Sequence, residues 1–308
     1  MGAPLPLPAE EYLTWLAVER GRSANTLAAY RRDLAGWVSW LGERGLGLDG
    51  AGEAEVSDYV AHLRSEGRAP ASVARSLVAV RSLHAFCAEE GLLATDPAAD
   101  VAPPRVPRGL PKPLAEDEVL ALLGAVVGDD PVAIRDRAIL EVLYGTGMRI
   151  SELCGLSLGD LDLDGGLLRV FGKGAKERVV PVGRHAAEAL EAWLGPAGRP
   201  HLVPERWARR GDAEAVFLGT RGARLRRQAA WEVVKGHGDR VGLGDRLSPH
   251  VLRHSCATHL LDHGADVRVV QELLGHASVA TTQVYTQVST ERVRAVYEAA
   301  HPRARRPA

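Results

Sequence analysis

Apolar residues recur every three to four positions through most of the first hundred residues. From Leu27 the series runs through Tyr30, Leu34, Trp37, Val38 and Leu41, one face of a helix. Ser23 stands where an N-cap is needed, and Gly45 and Gly47 lie past the end. Segments near 9–20, 53–66 and 71–90 share the period, the last through Val73, Leu77, Val80, Leu83 and Phe86. The spacing therefore predicts four helices. It stops at DPAADVAPPRVPRGLPKP, residues 96–113, where six prolines forbid helix and sheet and predict an extended strap. The strap divides the chain into an N-terminal helical domain, 1–95, and a second domain, 114–308.

Beyond the strap, LAEDEVLALLGAV and PVAIRDRAILEVLYGTG have helical periodicity. The stretch GGLLRVFGKGAKERVVPVG differs: two β-prone runs, Leu167–Phe171 and Arg178–Val182, flank a Gly-Lys-Gly turn, a hairpin signal. AVFLG, 215–219, is expected to add a third short strand, and the remainder to be helical. The fold class expected is mainly α with a small antiparallel β-sheet.

Composition changes this picture in three ways. Cys87, Cys154 and Cys256 lie far apart with no CxxC, which argues against a disulfide framework or zinc cluster and fits a reducing cytoplasm. The start, MGAPLPLPAEEYL, has no basic region leading into an apolar core, and there is no stretch of 18 apolar residues, so neither a signal peptide nor a membrane span is expected. The net charge of −1 says little, but its distribution does. Residues 1–100 carry 9 Arg against 14 acidic residues, whereas residues 201–308 carry 17 basic against 11 acidic, a third of the chain able to follow a phosphate backbone. Runs such as RLRRQ, 224–228, read as solvated surface. Of 38 basic residues only Lys112, Lys173, Lys176 and Lys235 are lysine, so a retained lysine marks a position that arginine, which holds its proton, cannot fill.

Four stretches carry candidate chemistry: YGTGMRISELCGL, VFGKGAKERVVP, SPHVLRHSCATHLL and LLGHASVATTQVYT. His250 and Arg253 are three apart on one helix, so they project from one face, and Pro249 suits its first turn. Arg149 follows the flexible GTG, where backbone can approach a ligand, and Glu152 can brace it. Two arginines can grip the non-bridging oxygens of a phosphodiester and stabilise the charge of a pentavalent transition state. A metal is the rival use of His250, His254, His259 and His263, but no HExxH is present and Arg253 would repel a cation. Without a metal, a nucleophile is needed. Tyr285, read alone, is a half-buried helix tyrosine, and Lys173 an exposed turn lysine; beside the arginines and His250, a phenolate and a proton donor become useful.

In this order and spacing the four stretches resemble the catalytic boxes of the tyrosine recombinases of the phage integrase family, specifically the Xer-type site-specific recombinases. The resemblance covers nearly the whole chain, including SANTLAAYRRDL, the strap and the ending STERVRAVYEAAHPRA. It implies an N-terminal four-helix, SAM-like core-binding domain and a catalytic domain that together form a C-shaped DNA clamp. It implies as catalytic residues Arg149, Lys173, His250, Arg253, His276 and the nucleophile Tyr285, with Glu152 in support. Thr26, Arg31, Arg75 and Arg81 are expected to meet DNA, whereas Tyr30 fits the apolar stripe and is expected to pack in the core. The implied reaction cuts and rejoins DNA through a 3′-phosphotyrosine and a Holliday junction, without metal, ATP or other cofactor, and resolves chromosome dimers at segregation. Implied partners are a double-stranded recombination site, a tetramer on two such sites, a second Xer-type recombinase and a DNA translocase; no membrane is involved. The apolar face of TERVRAVYEAA is expected to pack on a neighbouring protomer. A type IB topoisomerase, a mobile-element integrase and a non-catalytic DNA-architectural protein are the alternatives.

Overall fold

Ser23 accepts the Thr26 amide at 3.3 Å, so the second helix starts at its expected cap. The computed structural model describes residues 5–99, 101, 112–172, 177–275 and 287–304, and divides the chain into two units, Met1–Gly109 and Leu110–Ala308, each with its own core. The first unit holds α1 (Leu7–Val18), α2 (Ala24–Gly42), α3 (Glu53–Ser65) and α4 (Pro70–Glu89), the four helices that periodicity predicts. Trp37, fully buried, donates through Nε1 to Nε2 of buried His84 at 3.1 Å. Burial pushes the His84 imidazole down to about 4, keeping it the neutral acceptor that this bond requires. Tyr30 packs half-buried against the same core, as expected. Ala98 and Val101, at the start of the strap, are buried in it too.

The second unit is built on α6 (Pro131–Thr146), preceded by α5 (Glu116–Gly124). Asp130 caps α6 by accepting the amides of Val132 and Ala133, and Gly147 ends it at φ 60°. After a short α7 (Ile150–Gly155) come β1 (Leu161–Asp162), β2 (Leu167–Phe171) and β3 (Glu177–Pro181), an antiparallel sheet in chain order with Leu167 opposite Pro181 and Phe171 opposite Glu177. The hairpin is where expected, its second strand one residue earlier. The third strand is not. Residues 215–218 are buried yet form only isolated bridges, Ala215 with Ser157 and Leu218 with Arg224; the outer strand is β1. Apolar content predicts the burial of AVFLG, but Trp193 Nε1 and Arg199 take the Val216 and Ala215 carbonyls that a ladder would use.

Then follow α8 (Arg184–Leu194), α9 (Arg227–Arg240), α10 (Pro249–Asp262), α11 (Val267–Leu274) and α12 (Gln287–Ala300). RLRRQ is only partly solvated surface: Arg226 and Arg227 are exposed, but Arg224 turns in to the carbonyls of Cys154, Gly155 and Leu156 at the end of α7. The apolar face of α12 is covered within the single chain. Val293, Tyr297 and Ala300 are buried in the core of their own unit, against α10, α11 and β3. The Tyr297 hydroxyl donates to the Gly145 carbonyl at 2.7 Å and accepts the Gly183 amide at 3.1 Å. Past the helix, His301 is buried between the rings of Tyr144 and Tyr297, and Arg303 pairs with Glu141. Among the described residues, no helix is long and apolar enough to cross a membrane.

Candidate active site

Ser248 caps α10 by accepting the Val251 amide, Pro249 fills the first turn, and His250 and Arg253 follow one turn apart. His250 is exposed; Arg253 is buried, with 8% of its surface exposed. The Arg253 guanidinium donates to the Gly147 carbonyl at 2.7 Å and to the Leu274 carbonyl at 2.5 Å. Burial, with Arg149 nearby, makes the guanidinium easier to deprotonate and brings its pKa down to about 10, so it is still charged at neutral pH. The GTG loop thus works differently from the expectation. Gly147 is buried, and a Cβ there would lie 2.7 Å from Leu274 Cδ2 and 3.1 Å from Cys256 Sγ. Its freedom closes α6 and brings its carbonyl to Arg253; it does not leave backbone open to a ligand.

Arg149 sits at the start of α7 with its side chain 37% exposed. Glu152 reaches back from the first turn: its Oε2 accepts the Arg149 amide at 2.7 Å and its Oε1 the Arg149 Nη1 at 2.9 Å, so the brace expected between them is present. A further arginine completes it. Arg178 on β3 donates Nη1 and Nη2 to the two Glu152 oxygens, each at 2.8 Å. Burial alone would raise the Glu152 carboxyl; hydrogen bonds from Arg178 and from the Arg149 amide outweigh it and hold the group below its ordinary range. Sequence periodicity does not single out Arg178, because arginine in an alternating strand reads as solvent-facing. The available signal is Glu152 itself, in ISELCGL, a buried carboxylate that one half-exposed arginine does not fully pair.

All three arginines end on the last turn of α11. Arg178 Nε donates to the Leu273 carbonyl at 3.2 Å, Arg253 to that of Leu274 and Arg149 Nη2 to that of Gly275 at 3.3 Å. A helix C-terminus offers unpaired carbonyls and the negative end of the dipole, which is where cations settle. The structure therefore brings together Arg149, Glu152 and Arg253, with His250 on the same helix as Arg253. Lys173, His276 and Tyr285 lie outside the described residues; Gly172 and Gly275 are the last described residues before the first two.

Two of the rival histidines, His259 and His263, are engaged elsewhere. His259 is buried, with Nε2 2.8 Å from the Leu114 carbonyl and Nδ1 2.9 Å from the Tyr144 hydroxyl; Nε2 must donate, and Nδ1 accepts. His263 pairs with Glu116 at 2.6 Å, and His254 is exposed. Among the described residues, no group of three His, Cys, Asp or Glu side chains is placed to hold a metal ion. The DNA-contact candidates of the first unit all have partners inside it. Thr26 bonds to Ser23, Arg31 pairs with Glu10 at 2.5 Å, Arg75 pairs with Asp33, and Arg81 donates to the Ala99 and Val101 carbonyls.

A four-helix unit followed by a helical unit with a small antiparallel sheet, its arginines converging on one helix end, is the layout of the tyrosine-type DNA recombinases. The profile described as "Phage integrase family" matches residues 112–292, and that of "Phage integrase, N-terminal SAM-like domain" residues 9–91. Tyrosine recombinase XerD of Mycobacterium tuberculosis is 50% identical over 314 residues, covering 98% of this chain and 99% of that protein. Tyrosine recombinase XerD of Pseudomonas aeruginosa is 43% identical, covering 96% and 97%. A lambda integrase dimer bound to a core site shares the fold at TM-score 0.66 and 21% identity, covering 91% of this chain and 98% of that one. XerH recombinase bound to its difH substrate does so at 0.67 and 21%, covering 94% and 84%. The chain belongs to the phage integrase family, and its activity is site-specific DNA recombination.

Proposed function

We propose that this recombinase cuts and rejoins DNA through Tyr285, forming a 3′-phosphotyrosine, and that it resolves chromosome dimers through a Holliday junction. The observation that carries the reading is the convergence of Arg149 and Arg253 on residues 274–275, directly before the segment that contains His276 and Tyr285. In that position the two guanidiniums trade helix carbonyls for the non-bridging oxygens of the scissile phosphate and stabilise the charge gathered there during attack.

The phenol oxygen of Tyr285 bonds to phosphorus, its proton passing to His250 or His276. The bond from phosphorus to the 5′ oxygen breaks, and Lys173 supplies that oxygen with a proton. The 5′ hydroxyl of a partner strand then returns a proton to Lys173 as its oxygen bonds to phosphorus. The bond from phosphorus to the Tyr285 oxygen breaks, and the histidine gives the phenolate its proton back. One phosphodiester is exchanged for another of similar energy, so the cycle uses no ATP and needs no metal. Four protomers hold two double-stranded sites, with a second Xer-type recombinase supplying half of them and a DNA translocase timing the reaction in the cytoplasm. The named XerD relatives support this finer role.

The test uses the full chain with sheared genomic DNA of its own source, in excess EDTA. Wild type should give a denaturation-resistant adduct at one recurrent sequence, and Tyr285→Phe none, with duplex affinity unchanged within about threefold because binding rests on many backbone contacts. An adduct formed by the phenylalanine variant, or cleavage that returns only with added zinc or magnesium, would overturn the assignment. Binding without any adduct would make the protein architectural.

A further inference from the structure

We propose that Arg178 is a positioning residue for strand cleavage: it locks Glu152 beneath Arg149 and ties β3 to the end of α11. This deepens the reading above and rests on it. Each Glu152 oxygen accepts two hydrogen bonds, one from Arg178 and one from Arg149, with the Arg149 backbone amide serving Oε2. The carboxylate side chain is 2% exposed and has no access to water that could replace a lost donor.

Arg178 itself is not presented to substrate. Its side chain is 14% exposed, and its fork is spent on Glu152 and the Leu273 carbonyl. The turn above it is shaped around it: Gly275 stands at φ +65°, and a Cβ there would lie 3.2 Å from Arg178 Cδ and Nε. The same guanidinium thus joins β3, α7 and the end of α11, which lead respectively to the segments with Lys173, Arg149 and His276.

Charge gives the second half of the argument. Among the described residues, three guanidiniums and one carboxylate share this place, and Arg178 provides the cation that Glu152 consumes. Arg149 can therefore brace against Glu152 and still direct charge at a phosphate. Without Arg178, Glu152 draws on Arg149 alone, and the phosphate sees less positive charge in a less fixed place.

The experiment uses the full chain and a nicked duplex carrying the sequence captured by the wild type. The scissile group is either an ordinary phosphodiester or a methylphosphonate, which lacks the negative charge. For Arg178→Gln we expect duplex affinity within about threefold of wild type and single-turnover cleavage of the phosphodiester slower on the order of 100-fold. On the methylphosphonate the deficit should shrink at least tenfold, in parallel with Arg149→Ala, since both changes reduce charge directed at the phosphate. Arg178→Lys, a point charge that cannot span both oxygens, should restore only part of the rate and show the same substrate pattern. It carries the comparison if the glutamine variant does not fold. An equal deficit on both substrates would reduce Arg178 to a structural residue, and no deficit would remove it from the reaction. Should Arg149→Ala itself cleave normally, the site reading fails instead, whatever Arg178 does.

Discussion

At the scale of single residues, what matters about an arginine is what it would leave behind on turning to DNA. Arg31 is half exposed and pairs with the exposed Glu10, a surface pair of about 0–1 kcal/mol that a phosphate can replace. Arg75 pairs with Asp33, whose side chain is 7% exposed, and leaving would strand a buried carboxylate. The two should separate by experiment. Arg31→Ala is expected to lower the salt slope of duplex binding by about 0.9 with little change in stability, whereas Arg75→Ala should cost on the order of 2–3 kcal/mol in urea unfolding. The reverse ranking would return Arg75 to the DNA interface. Lys173 is tested by its leaving group. A 5′ alkoxide has a conjugate acid near that of water, about 15–16, and departs slowly without a proton donor; a 5′ thiolate, at about 8.5, departs alone. Lys173→Ala should cleave a phosphodiester very poorly and a 5′-bridging phosphorothiolate at near the wild-type rate, with Arg149→Ala slow on both. Failure of sulfur to rescue would make Lys173 a binding charge and move the acid to His250.

At the scale of elements, α12 shows what a pattern does and does not specify. Val293, Val296 and Tyr297 mark an apolar face, and such a face announces that something covers it but not what. Here the cover is the unit's own α10, α11 and β3. Tyr297→Phe should cost about 1–3 kcal/mol by leaving the Gly145 carbonyl and Gly183 amide unpaired; Tyr297→Ala should cost more, about 3–5 kcal/mol. Denaturation in urea that shows no loss for either variant would mean that α12 does not hold the unit together. The four N-terminal helices and the hairpin are legible in the sequence because local spacing, caps and turn residues decide them. The strand at 161–162 is not legible, since two residues carry no period and their pairing with Leu167 and Leu168 is decided by the fold. Arg149, Glu152, Arg253 and their order along the chain are legible as well. Arg178 is legible only once Glu152 is known to be buried.

At the scale of the whole molecule, both units respond to acid in the same direction. Burial pushes His84 in the first unit down to about 4 and His301 in the second to about 3. Their unfolded counterparts titrate near 6.5, so below that pH the unfolded chain binds protons that the folded one refuses. Stability contributed by these neutral rings is intact above pH 6.5 and is lost progressively as pH falls toward about 4 and 3. Glu152, held low, adds its loss below its ordinary value of 4.5, while Glu141, raised by burial, works in the opposite sense. The urea midpoint of the full chain should therefore fall between pH 6.5 and 5, and fall less steeply in His301→Leu. Equal slopes would uncouple that imidazole from unfolding.

The bond between the Tyr297 hydroxyl and the Gly145 carbonyl joins residues 152 positions apart. The first unit makes its packing contacts within the first hundred or so residues, α4 against α1, α2 and α3, so it can close while the remainder of the chain is still being synthesised. The second cannot, because α6 waits for a tyrosine, a histidine and an arginine from the final dozen residues, at 297, 301 and 303. A partly made chain can therefore hold a closed first unit and an open second one. The unit that holds Arg149 and Arg253 thus closes later than the first, once residues 297–303 are present to be packed.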